Sequence, residues 1–195
     1  MNPKVCLVVG MGRGIGLSVA RRFGREGYKL GLIARSETKL ENYASALELD
    51  GCTVKTFPTD ITRTPQLISA IRETEKQLGP IEVMVYNAYA AQGSRASELS
   101  VEALEETLRV NLYGALVTAQ LVIPGMLSRR KGTLLFTGGG LALNPHPDHA
   151  ALSIGKASLR ALVGALGKEL YHEGIHAATV TIVGQVKRNT PFDPT

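Results

Sequence analysis

The stretch Val5-Cys6-Leu7-Val8-Val9-Gly10-Met11-Gly12-Arg13-Gly14-Ile15-Gly16 lies near the start of a 195-residue chain. Its apolar run, read over 4–9, is too short for a core helix and suits a parallel strand covered on both faces. Glycines follow at once. Beyond them Ile15, Val19 and Phe23 recur every four residues, a helical stripe that ends near Gly27. A glycine-rich turn between a strand and a helix is the context that gives such a pattern meaning. Glycines permit the tight turn and let backbone N–H groups approach a pyrophosphate at the positive end of a helix. The plain alternative is a βα turn that binds nothing.

The same alternation continues outward from this turn. Residues 29–34 are apolar again, followed by a helix carrying Leu40, Tyr43, Ala44 and Leu47. A third strand over 53–57 is closed by Pro58, and Leu67, Ile71 and Leu78 mark a helix stopped by Gly79-Pro80. The second half repeats the plan. A strand over 81–86 precedes a long helix over 101–126, with Leu104, Leu108, Leu112, Ala115 and Ala119 on one face. A fifth strand covers 133–136. A helix over 150–172 carries Leu159, Leu162, Val163, Leu166 and Leu170, and a sixth strand covers 178–183. Strands alternating with helices of this length predict right-handed βαβ units. The expected fold is α/β, a doubly wound parallel sheet of six strands with helices on both faces. With no linker and no low-complexity segment, residues 1–195 read as a single domain.

Composition narrows the class. Apolar residues make up 44% of the chain and charged residues 20%, which excludes disordered and fibrous proteins. No uninterrupted apolar run approaches the ~20 residues of a membrane span. Met1-Asn2-Pro3-Lys4 does not lead into a signal peptide, since the apolar run after it ends at Gly10 without a small-residue cleavage site. Cys6 and Cys52 make neither a disulfide framework nor a metal spacing. A cytoplasmic location without membrane attachment is expected. The 22 basic and 17 acidic residues give a net charge of +5, but the basic groups are scattered (Arg21, Arg22 and Arg25 on a helix; Arg129, Arg130 and Lys131 in a loop). No aromatic residues interleave with them as a nucleic-acid groove requires, so nucleic acid is not an expected partner.

The gaps between Gly10, Gly14 and Gly16 resemble those of the short-chain dehydrogenase/reductase family, and the resemblance extends over essentially the whole chain. Asp60, followed by Ile61, stands where that family's aspartate contacts the adenine. Tyr86-Asn87-Ala88-Tyr89 resembles the family's Asn-Asn-Ala-Gly motif, with Asn87 and Ala88 kept. Asn111, in the long helix, matches the family's structural and catalytic asparagine. The resemblance implies a Rossmann fold, a nicotinamide dinucleotide and a small-molecule carbonyl or alcohol substrate. It also implies a homodimer or homotetramer paired through the long helix and the helix of 150–172, with Ala115, Ala119, Leu159 and Val163 as outer positions; the plain alternative is that these four face only their own sheet. Candidate cofactor contacts are Gly10, Arg13, Gly14, Ile15, Gly16, Arg35, Asp60, Ile61, Asn87, Ala88 and Lys156.

The choice of dinucleotide has a physical handle. Free ribose hydroxyls are usually gripped by an acidic residue at the end of the second strand. Here Ala34-Arg35-Ser36 offers no carboxylate, while Arg35 and Arg13 offer guanidinium groups that suit a 2′-phosphate. NADP(H) is therefore expected over NAD(H).

The catalytic pattern departs from the resemblance. In that family a tyrosine and a lysine four residues apart, with a serine about thirteen residues earlier, form the acid–base site. Lys156 occupies the lysine position, but Leu152 stands at the tyrosine position and Gly139 at the serine position, with the spacing intact. His149 is the leading substitute acid. If the helix includes it, it lies one turn before Leu152 on the face of Lys156; otherwise it belongs to the loop of 144–148 and caps the helix. Ser153 points about 100° away from Leu152 on a helix. His146, His172 and His176 read as surface or helix-end residues.

After the sixth strand the family's Pro-Gly is replaced by Val183-Gly184, and the chain stops at Thr195, soon after Thr190-Pro191-Phe192. The resemblance implies one more strand and a substrate-covering segment, so either a shortened chain or a slight lid is expected. Two functions fit. One is an NADP(H)-dependent oxidoreductase with an atypical proton relay, using Asn111 and Lys156 with His149 or a lysine-bound water as donor. The other is a catalytically silent nucleotide-binding pseudoenzyme, a sensor or partner subunit. A purely structural protein leaves the glycine loop, Arg13 and Arg35 unexplained.

Overall fold

The computed structural model describes residues 4–184 and 186. Strands β1 (Val5–Val9), β2 (Lys29–Ala34), β3 (Val54–Pro58), β4 (Ile81–Tyr86), β5 (Gly132–Gly139) and β6 (Ile175–Ile182) form one parallel sheet in the order β3-β2-β1-β4-β5-β6. Val9 pairs with Ile33 on one side and Tyr86 on the other. The winding therefore reverses between β1 and β4, and a crevice opens at their carboxyl ends, where α/β sheets bind ligands.

The strands alternate into two cores. Val5, Leu7 and Val9 face one layer, formed by α3 (Thr64–Leu78), α5 (Gly114–Arg129) and α6 (Ala150–Leu170). Cys6 and Val8 face the other, formed by α1 (Ile15–Arg25) and α2 (Glu37–Leu49). Ser36 caps α2 by accepting from Lys39 N at 3.4 Å, and Ser100 caps α4 (Val101–Leu108) by accepting from Ala103 N at 3.2 Å.

Three elements differ from expectation. Pro58 ends β3 rather than following it, which an edge strand tolerates because no ladder donor is lost. β5 runs on through Gly139, and β6 starts at Ile175, three residues before the expected 178. The long helix is also interrupted. Between α4 and α5 lies a π-turn, Arg109–Tyr113, in which Gly114 N donates to Arg109 O. One inserted residue rotates the following helix by about 100°.

The structure also corrects the expected pairing surface, in favour of its residues facing their own sheet. Ala115, Ala119, Leu159 and Val163 are not outer positions: all four are buried in the core against their own sheet. Leu104, Leu108 and Leu112 are only half-buried. By length and composition Val101–Arg129 and Ala150–Glu173 reach membrane-span values, with mean hydropathy 1.5 and 1.2, although no uninterrupted apolar run does. Both lay an apolar face on the sheet. The readings that rest on Met1-Asn2-Pro3 and Thr190-Pro191-Phe192 lie outside the described residues.

Candidate active site

The glycine turn follows β1 at the crevice. Gly10 has φ +86°, and a side chain there would run into the backbone of Ala88, so this position requires glycine on two counts. Gly10 N and Met11 N both donate to Ile33 O, at 2.9 and 3.0 Å, and Asn87 Nδ2 donates to Gly10 O at 2.9 Å. The turn is thus clamped from β2 and from the end of β4. Beyond it the space is open. A Cβ at Gly12 would meet nothing within 4 Å, and one at Gly14 only Val186 Cγ1 at 3.8 Å. α1 starts without a side-chain cap; Leu17 N donates to Gly12 O at 2.9 Å, which leaves the N–H groups of Ile15 and Gly16 for an outside acceptor. An open glycine cradle facing an uncapped helix end fits a dinucleotide pyrophosphate.

Next to the cradle, Arg13 and Arg35 are exposed, and among the described residues neither forms an ion pair. Asp60 Oδ1 accepts from Thr62 N at 3.0 Å and from Thr62 Oγ1 at 2.8 Å. These bonds, helped by Arg35 and Arg63, hold its carboxyl below the ordinary carboxylate range. Arg63, the N-cap of α3, belongs to no motif; its N–H donates to Asp60 O at 3.0 Å, a local turn that keeps it beside that carboxylate. Ile61 is buried, with its side chain in the core.

At the other end of the crevice Lys156 is buried on α6, and its Nζ donates to Thr137 O at 2.7 Å. Burial lowers its pKa to about 8. Thr137 Oγ1 donates in turn to Asn87 Oδ1 at 2.9 Å. A track of contacts therefore joins Lys156 through Thr137 and Asn87 to Gly10, across β5, β4 and β1. Thr137 carried no signal of its own in the sequence beyond lying next to the glycines of 138–140. A Cβ at Gly139 would touch Lys156 Cγ at 3.4 Å and Cδ and Cε at 3.7 Å, so Gly139 lies along the lysine stem. Leu152 is half-buried one turn before Lys156.

Asn111 sits in the π-turn, fully buried. Its Oδ1 accepts from Ala90 N at 3.0 Å and its Nδ2 donates to Ala90 O at 2.8 Å, so its amide is committed to holding the segment after β4. Gly155 lets α6 approach Asn111 closely, since a Cβ there would come within 2.9 Å of it. Tyr86 OH donates to Val110 O at 2.5 Å, and Gly114 leaves room for the phenol. Tyr86, in place of the motif's first asparagine, thereby satisfies a carbonyl of the π-turn, and burial pushes its pKa up.

His149 does not join this group. It is the N-cap of α6, with φ −133° and ψ 40°, and so lies outside the helix. Its ring is exposed and packs on His146 at 5.3 Å, while its carbonyl accepts from Ser153 N and Oγ, both at 2.9 Å. Ser153 is buried and committed to that bond. The chain after β6 crosses the site, with Val183 against Gly140 and Val186 beside Gly14. Among the described residues no three His, Cys, Asp or Glu side chains converge to hold a metal.

Comparison with known proteins agrees with this layout. The short chain dehydrogenase family profile matches residues 4–190. An uncharacterised oxidoreductase of Staphylococcus aureus (strain USA300) is 28% identical over 181 residues, covering 93% of this chain and 78% of its own length. Among solved structures, an actinorhodin polyketide ketoreductase variant with NADPH superposes with a TM-score of 0.88 at 28% identity, over 92% of this chain and 69% of that one. A metagenomic short-chain oxidoreductase in complex with NADP superposes at 0.87 and 22% identity, over 92% and 81%, a likeness of fold. With the family profile matched from the first strand to beyond the sixth, this chain belongs to the short-chain dehydrogenase/reductase family and carries its oxidoreductase fold.

Proposed function

We propose that the protein is an NADP(H)-dependent oxidoreductase that interconverts a small-molecule carbonyl and its alcohol. The observation that carries this reading is the hydrogen-bonded track from the glycine turn to a buried lysine, which ties a dinucleotide cradle to a group able to act on a substrate oxygen. Gly10, Gly14, Ile15 and Gly16 would hold the pyrophosphate, Arg13 and Arg35 the 2′-phosphate, and Asp60 and Ile61 the adenine. Asn87, Ala88 and Lys156 would hold the nicotinamide end. When bound, the reduced dinucleotide supplies hydride. Asn111 keeps the segment after β4 in place beside α6. The absence of an acidic residue at the end of β2 supports NADP(H), as does the ketoreductase relative solved with NADPH. The reading carries with it a homodimer or homotetramer.

Gly139 and Leu152 favour a second reading, a pseudoenzyme that keeps the cradle without turnover. Loss of a positioned acid costs ~10²–10⁴-fold in rate, which slows hydride transfer without forbidding it. Steady-state oxidation of NADPH against a broad carbonyl panel, run beside direct NADPH binding, separates the two. Turnover supports the oxidoreductase; binding without turnover on any carbonyl supports the pseudoenzyme.

A further inference from the structure

We propose that Lys156 is itself the proton donor of this site, its Nζ protonating the substrate oxygen where relatives would use a side chain at the position of Leu152. This rests on the oxidoreductase reading above. Ser153 Oγ is buried and bonded to His149 O, Thr137 Oγ1 is bonded to Asn87, and Tyr86 OH is bonded to Val110 O. His149 stands outside the helix, exposed, and Asn111 has no acidic proton and spends its amide on Ala90. Ser94 Oγ, beside the start of α6, lacks a partner, but an alkyl hydroxyl is far too weak an acid to give up a proton near neutrality. Lys156 has donors to spare. An ammonium has three N–H bonds, and Thr137 O takes one.

The surroundings make this lysine a different group from a surface one. β5 presents Thr137 and Gly139, and the π-turn presents Asn111 across Gly155; none of these titrates. The carboxylates of α4, Glu102, Glu105 and Glu106, are exposed, as is His176 on β6. Among the described residues no acidic side chain pairs with Lys156. A buried ammonium without a counter-ion gives up its proton more readily, and a pKa of about 8 suits an acid working near neutrality. Gly139 leaves the lysine stem uncovered on the β5 side, and Leu152 adds hydrocarbon one turn before it.

The step balances as follows. In reduction the carbonyl carbon accepts hydride from a dihydronicotinamide, which is oxidised, and the carbonyl π pair moves to oxygen. An Nζ–H bond breaks and its proton joins that oxygen, giving the alcohol. Lys156 is left as a neutral amine and regains a proton from water.

Two measurements test this. In the NADP⁺ complex of the full chain, labelled with ¹³C at lysine Cε, the Lys156 resonance is the one missing from Lys156→Met. It should titrate near pH 8, at least a full pH unit below the surface lysines. Titration together with the surface lysines overturns the proposal whether or not a substrate is known. With NADPH and a ketone from the panel, kcat/KM for reduction should fall as pH rises past the same midpoint. Lys156→Arg keeps the charge but holds its protons far too tightly to give one up at these pH values. It should lose ~10²-fold or more in kcat and also lose that alkaline limb, while NADPH affinity by fluorescence changes less than about tenfold. Undiminished turnover by Lys156→Arg overturns this proposal and leaves the oxidoreductase reading standing. Loss of the limb in His149→Ala, with Lys156→Arg retaining it, also overturns it. NADPH binding with no turnover on any carbonyl overturns the oxidoreductase reading, and this proposal with it.

Discussion

Replacing Asn87 by alanine should cut the track between the cofactor turn and Lys156 at its midpoint. Asn87 Nδ2 donates to Gly10 O and its Oδ1 accepts from Thr137 Oγ1, each at 2.9 Å. The site is partly buried, so the variant loses two hydrogen bonds and leaves a carbonyl and a hydroxyl poorly satisfied. At ~0.5–1.5 kcal/mol for each bond, and more where the partner stays dry, the expected loss is ~2–3 kcal/mol. For a chain of this size that lowers Tm by about 4–12 °C. Thermal melts followed by circular dichroism, checked by urea unfolding at constant m-value, measure it. A cycle with Thr137→Val sharpens the test. The two changes share one bond, so the double variant should cost ~0.5–1.5 kcal/mol less than the two single variants combined. A loss under ~0.5 kcal/mol in Asn87→Ala, or strict additivity in the cycle, would refute the idea that these groups act as one unit.

Three further outcomes are expected. Leu152→Tyr with Gly139→Ser should raise carbonyl reductase activity by about tenfold or more, because a positioned acid contributes ~10²–10⁴. Gly139 has extended backbone (φ −149°, ψ 149°) and ordinary van der Waals room for a Cβ, so the serine should fit; a folded, NADPH-binding double variant without the gain would show that the pocket itself has been rebuilt. Arg35→Ala should narrow the gap between NADPH and NADH affinity by ~1–3 kcal/mol, and an unchanged ratio on titration counts against a role for Arg35 at the 2′-phosphate. Lys156 carries a pKa of about 8 in the fold against an ordinary 10.5. The unfolded chain therefore holds more protons between those values, and the lysine's destabilising effect, full below pH 8, fades as pH rises through that window. Lys156→Met should stabilise the protein by ~1–3 kcal/mol at pH 7 in urea unfolding and flatten the rise toward pH 10; equal stability at both pH values would contradict burial of the charge.

Much of the fold was legible because its signals are local. Val5–Val9, the glycines after it and Lys29–Ala34 could be read from apolar runs and punctuation alone, and the structure places them as expected. The π-turn was not legible, since Leu104, Leu108, Leu112, Ala115 and Ala119 fit a single helical stripe across it. The outer placement of Ala115 and Ala119 came from the family resemblance, and the structure buries both. The extension of β5 was hidden by Gly138 and Gly139, which carry no strand signal, and His176 and Ala177 hid the start of β6. At the site, spacing identified Gly10, Asn87 and Lys156 because each is tied to a motif. Thr137 owes its place to contacts between distant segments, which no spacing records, while Arg63 lies three residues from Asp60 and belongs to no motif. His149 shows the limit of helical arithmetic: the face of Lys156 begins only at Ala150, one residue too late to include it.

The most direct test of the account is calorimetric titration of the unmutated protein with NADPH and with NADH at low salt. An open glycine cradle flanked by Arg13 and Arg35, with no carboxylate at the end of β2, predicts saturable NADPH binding at least about tenfold tighter than NADH. Equal affinities, or no binding of either dinucleotide, would contradict it.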